Sequence, residues 1–171
     1  MKRIFLLIIS ILPMIISQGL SAQHIQDTFF GCKLGESNRR DVKRNINNLG
    51  YEYIDENSRL YINDILFSRD RWDMCVFQFS TIGVLTDFSL FISRPPSDRE
   101  IYYFEDTVFE KLKKEYGETP EYHDIKDGVS THYFIWDDGK TVLGYQLSLS
   151  EKSIDMLLIY SAKEQISGSD Y

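Results

Sequence analysis

The chain has 171 residues with 19 Lys and Arg against 26 Asp and Glu, a formal charge of −7, and unusually many aromatics, 11 Tyr and 11 Phe. That acidity argues against nucleic acid or anionic membrane surfaces as partners, since both demand clustered basic residues. The length suits one domain that buries roughly 70% of the surface its unfolded chain exposes, and the aromatic content favours a sheet-rich core.

The amino terminus reads as a leader. Met1, Lys2 and Arg3 precede an apolar run from Ile4 to Ile16, and small residues follow it. A cationic start, a short apolar stretch and a small-residue junction predict a secretory signal peptide over residues 1–22, cleaved after Ser21 or Ala22. The run is too short to cross a hydrocarbon core, which takes about 20 residues in helix. Removing the leader leaves 17 basic against 26 acidic residues, a net of −9. The expected product is an exported protein, periplasmic or secreted, with its single domain over residues 23–162 and a loose polar tail over 163–171.

The first helix is expected after Ser37, the predicted cap. Val42, Ile46 and Leu49 fall on one face, and Gly50 stands at the end. Its other face, with Arg39, Arg40, Lys43, Arg44 and Asn47, reads as a solvated charged surface. Extended segments follow at 58–67, 72–80 and 83–93. The last alternates Val84, Phe88, Leu90 and Ile92 with polar residues, and Pro95-Pro96 closes it. Ser97 and Glu100 match a capping box for a second helix. Ile101, Phe104, Val108 and Leu112 make its core stripe, widened by Phe109 and Tyr116, and Gly117 and Pro120 stop it. Three more strands are expected at 129–136, 141–149 and 153–161, the first two joined by a primed turn at Asp138-Gly139.

The order is helix, three strands, helix, three strands. It predicts an α+β fold in which two α-β-β-β units, about 29–93 and 97–161, form one antiparallel sheet with both helices on one face. With "FFGCKLGES…VKRNI" and "FEKLKKEYGETPEY", this order resembles small exported envelope proteins of tandem α-β-β-β units, of the SmpA/OmlA type and the β-lactamase-inhibitory-protein type. The chain departs from the former in lacking a lipid-attachment cysteine and in having one long helix where they have a pair. What the resemblance implies is protein binding through the open sheet face or loops, without catalysis; no functional residue carries over.

Chemical signals are sparse. Cys32 and Cys75 are two buried thiols or one disulfide, which would close a loop worth about 4 kcal/mol in the chain-entropy model. A catalytic thiol would need an activating base, and His123 and His132 are in the other unit, while His24 is at the expected mature terminus. His123, His132, Asp137 and Asp138 lack the spacing of metal ligands, and no Gly-x-Ser-x-Gly elbow or phosphate-cradling loop occurs. Neither a metal, a cofactor nor catalysis is expected. Trp72, Tyr133 and Trp136, at or near strand ends, are the candidate binding residues if they are exposed, because Trp and Tyr anchor interfaces; otherwise they fill the core. In "HYFIW", His132, Phe134 and Trp136 point to one face and Tyr133 and Ile135 to the other. The expected partner is another envelope or extracellular protein. The other reading is a small-molecule or carbohydrate binder with a pocket between sheet and helices, with hydrolysis as a further option.

Overall fold

A computed structural model describes residues 24–68 and 70–163, apart from the side chains of Asp98 and Asp106. The expected leader lies outside these residues, as does the expected tail after Lys163. Among the described residues no helix is long and apolar enough to cross a membrane.

The first elements of the described residues are a small hairpin, β1 (Thr28–Phe29) and β2 (Cys32–Lys33), and helix α1 (Arg39–Asn48). Four strands come next: β3 (Ile54–Glu56), β4 (Arg59–Phe67), β5 (Asp70–Phe79) and β6 (Leu85–Arg94). The second rod comprises α2 (Asp98–Tyr102), a π-helical segment (Tyr103–Phe109) and α3 (Glu110–Tyr116). Four strands follow it: β7 (Glu121–Lys126), β8 (Val129–Asp137), β9 (Thr141–Leu149) and β10 (Ile154–Ala162). These eight form one antiparallel sheet in the order β3-β4-β5-β6-β10-β9-β8-β7. The fold is therefore α+β with a large antiparallel sheet. Each rod is followed by a meander of four strands rather than the expected three, β3 and β7 being the additional strands. The two meanders meet where β6 pairs with β10.

Both rods lie on one face of the sheet. Phe77, Phe88, Leu90, Leu158, Tyr145 and Phe134 share that face by register and are buried together with Val42, Ile46, Phe104 and Leu112 of the rods. The lead-in segment packs here too. Phe29 stacks on Phe88 at 4.1 Å and meets Tyr160 at 4.8 Å, while Gly35 N donates to Leu85 O.

Two local readings need correction. Asn38, not Ser37, caps α1. Its side chain accepts from Arg40 N and Asp41 N, whereas the Ser37 hydroxyl accepts from Lys33 N inside the preceding turn. Leu49, at the C-cap of α1, is 55% exposed rather than part of the buried face. The charged face of α1 is engaged in pairing: Arg39 and Lys43 both bind Asp55, and Arg44 binds Asp41 at 2.9 Å.

The spacing of apolar residues favours the π segment without fixing it. Phe104, Val108, Leu112 and Tyr116 recur every four residues, which drifts about 40° per step on an α-helix of 3.6 residues per turn. A wider turn takes up that drift and keeps Val108 and Phe109 packed on the core. The buried Tyr145 hydroxyl donates to Phe104 O at 3.0 Å within the widened turn.

Candidate functional site

Three surfaces hold chemistry worth weighing. The largest is the sheet face opposite the rods, which nothing among the described residues covers. Register places Met74, Phe91, Leu157, Gln146, Tyr133 and Tyr122 in one row across it. The neighbouring row runs Tyr61, Val76, Ser89, Ile159, Gly144 and Ile135. Together they make an apolar stripe, half-buried at its centre and exposed at Ile135 and Tyr122. Polar networks border it. On one side Asp73 accepts from Ser93 N at 2.7 Å and pairs with Arg94, while Asp155 accepts from Ser93 Oγ and Ser153 Oγ. On the other, Ser161 Oγ donates to Asp87 at 2.6 Å. An apolar centre with a satisfied polar border is how a protein interface is laid out.

The second surface is a cleft of about 260 Å³ between the π segment and β7, β8 and β9. Phe109, Phe134, Tyr145 and Leu147 form its apolar lining, and Glu105, Glu110, Glu121 and His132 its polar one. His132 Nδ1 lies 2.5 Å from Glu121 Oε1, and Ser130 Oγ lies 3.4 Å from His132 Nε2 and 2.8 Å from His123 Nε2. The two imidazoles stack at 4.6 Å because His123 and His132 are direct cross-strand partners. A base between an acid and a hydroxyl is the order found in nucleophilic sites. Here the hydroxyl is shared by two rings, and the arrangement pins β7 to β8. Among the described residues no three His, Cys, Asp or Glu side chains gather as a metal site.

The third is a shallow depression of about 180 Å³ lined by Ile25, Tyr116, Trp136 and Asp138. The Asp138 carboxylate accepts from Thr141 N at 2.7 Å, Lys140 N at 2.8 Å and Ile25 N at 2.8 Å. Burial pushes its pKa up, but these donors and His24 outweigh burial and hold it at about 2. This carboxylate has a structural task, tying the lead-in segment to the β8–β9 loop.

The three residues proposed as contacts are not brought together. Trp72 and Trp136 are each 5% exposed and face the core, where their indoles donate to Phe67 O at 3.4 Å and Gly117 O at 2.7 Å. Both therefore fill the core, the alternative given for them, and are not contact residues. Trp72 reaches that face through a local break: Ile62 and Ile65, and opposite them Cys75 and Trp72, are buried three residues apart, with Asp64 at φ 55° between them. Tyr133 alone lies on the uncovered face, as the alternation in "HYFIW" predicts. What sequence reasoning missed is the apolar character of alternate positions in β5, β6 and β10, such as Val76, Phe91 and Leu157. The signal was present as near-continuous hydrophobicity in "SIDMLLIYS".

The cysteines are separate buried thiols, not a disulfide. Cys75 sits mid-strand in β5, and burial pushes its pKa up to about 12. Cys32 sits in the lead-in hairpin, where burial also raises its pKa although Asn45 donates to its sulfur at 3.3 Å. Such thiols are poor nucleophiles.

No protein-family model matches the chain, and no curated protein matches it. Among solved structures it is similar to a DUF4309 family protein, YjgB, from Bacillus subtilis. That match has 14% identity and a TM-score of 0.42, and it covers 83% of this chain and 88% of YjgB. At that distance no property of YjgB passes to this chain.

Proposed function

We propose that the protein is an exported, non-catalytic binding module that holds another envelope or extracellular protein against its uncovered sheet face. The observation that carries this reading is the apolar patch around Phe91 and Leu157, with Met74, Val76 and Ile159 beside them, on the side of the sheet away from both rods. Patches of this kind on soluble proteins mark places where something docks. The leader read over residues 1–22 supports export, and the likeness to tandem-unit envelope proteins supports a protein partner. The paired meanders, each led by a helical rod, support descent of the two halves from one duplicated unit.

The test is site-specific photo-crosslinking in the native host, with a crosslinker at Leu157 and a control at Glu151 on the β9–β10 turn. The expected result is one reproducible protein adduct from Leu157 and none from Glu151, lost on Phe91→Ser. Equal yields at both positions, or none at Leu157, overturn the reading. The cleft beside the π segment favours a second reading, a small-molecule or carbohydrate binder. That reading predicts a ligand-induced rise in melting temperature abolished by Phe134→Ala and untouched by Phe91→Ser.

A further inference from the structure

An eight-stranded open sheet has two edges, and this one treats them differently. At the β3 edge, the two-residue connection between Glu56 and Arg59 makes those residues a hydrogen-bonded pair, so within β3 only Asp55 turns its N–H and C=O outward. That residue is already held: Arg39 and Lys43 of α1 clasp its carboxylate, and Arg39 also donates to Asn57 O. A short edge latched by a neighbouring helix is a protected edge.

Among the described residues the β7 edge has no such latch. It is six residues long and exposed at every one, with Tyr122 57% and Ile125 69% exposed. Asp127 and Gly128, at φ 51° and 79°, form a two-residue turn between the paired residues Lys126 and Val129. In an antiparallel ladder the hydrogen-bonded pairs then fall at Lys126, Asp124 and Tyr122. Glu121, His123 and Ile125 are left pointing three N–H and C=O sets away from the sheet. No proline or bulge interrupts the strand, and its one lysine stands at the turn.

We propose that β7 is a strand-addition site that takes an extended, basic segment of another polypeptide. The free backbone groups supply the main-chain bonds of strand addition. Charge selects the occupant. On the rod side β7 presents Glu121, and Glu105 and Glu110 line the cleft beside it with no lysine or arginine in that lining. An added strand turns alternate side chains to opposite faces. Cationic side chains on the rod side meet Glu121, and apolar ones on the other side continue the row that ends at Tyr122. The free backbone edge makes this inference independent of whether the open face itself binds a partner.

The test uses the full mature chain and a fluorescent octapeptide of four Lys-Val repeats, compared by anisotropy with four Glu-Val repeats and with the same Lys-Val peptide N-methylated at every backbone amide. Only Lys-Val combines the charge with extended, hydrogen-bonding backbone. It is expected to bind at least about tenfold more tightly than either comparator, because the methylated peptide loses its main-chain donors and Glu-Val brings like charge to Glu121. Ile125→Pro is expected to abolish that difference while melting like the parent, because proline is tolerated where an edge N–H faces solvent. Asp124→Pro, which removes a ladder bond to β8, is expected to lower the melting temperature. In the unaltered protein the peptide should slow amide exchange at His123 and Ile125, a readout that survives even if a variant fails to fold. Equal affinity for Lys-Val and its N-methylated form, or unchanged exchange at those two amides, overturns the proposal. So does a parent dimer that Ile125→Pro converts to monomer, which would assign the edge to a second copy of this chain.

Discussion

At the scale of single residues, Asp138 shows how one carboxylate organises a stretch of chain distant in sequence. Three backbone donors and His24 converge on it, and its side chain is 5% exposed. Its pKa in the fold is about 2, against about 3.9 for a free aspartate. A depressed carboxyl contributes stability that is present above its unfolded pKa and lost as pH falls through the folded one. The window is therefore from about pH 4 down to about pH 2, and the contribution above it is about 2 kcal/mol. Asp138→Asn should be less stable than the parent by about that amount at pH 7 and indistinguishable near pH 2, measured by urea unfolding at both pH values. An equal deficit at both would remove Asp138 from this role. The sequence showed Asp137-Asp138-Gly139-Lys140 as a turn but not this task, because Ile25 lies 113 positions away in the chain.

At the scale of elements, turn chemistry was read correctly in kind and misplaced in position. The primed two-residue turn expected at Asp138-Gly139 occurs instead at Asp127-Gly128, where both residues have positive φ. Asp138-Gly139 belongs to a longer loop set by the Asp138 carboxylate. The alternation around Asp127-Gly128 was weak because β7 is exposed on both faces, and a strand that buries neither face leaves no period-2 pattern to read. The same reason hid β3, all three residues of which are exposed. Elements that bury one face were legible to within a few residues, as with β6, β9 and the second rod. The widened turn in that rod was not, because it depends on a hydroxyl from another strand. Tyr145→Phe keeps the ring packed among Phe109 and Phe134 but removes the donor to Phe104 O. It should cost about 1 kcal/mol in urea unfolding. A cost near zero would mean that apolar spacing alone holds the π segment.

At the scale of the whole molecule, the joint between the halves governs cooperativity. In the sheet they meet only across β6 and β10, where Phe88, Leu90 and Ile92 oppose Tyr160, Leu158 and Met156 on the covered face. The lead-in segment crosses the same seam: Ile25 N reaches Asp138 in the second half, Gly35 N reaches Leu85 in the first, and Phe29 lies on Phe88 and Tyr160 from both. Two meanders joined at their last strands and clasped from above should unfold as one unit, with the seam opening last. Amide exchange should therefore be slowest in β6 and β10, where a backbone bond opens only with global unfolding, and should quicken outward through β5 and β9. The edges β3 and β7 bury no side chain and should exchange fastest. Were the halves independent, protection would peak instead at the centre of each meander, in β4 and β5 and in β8 and β9, with β6 and β10 weaker. Mass-spectrometric exchange resolved by strand separates these profiles, and a double maximum would show that the seam is a contact between two domains.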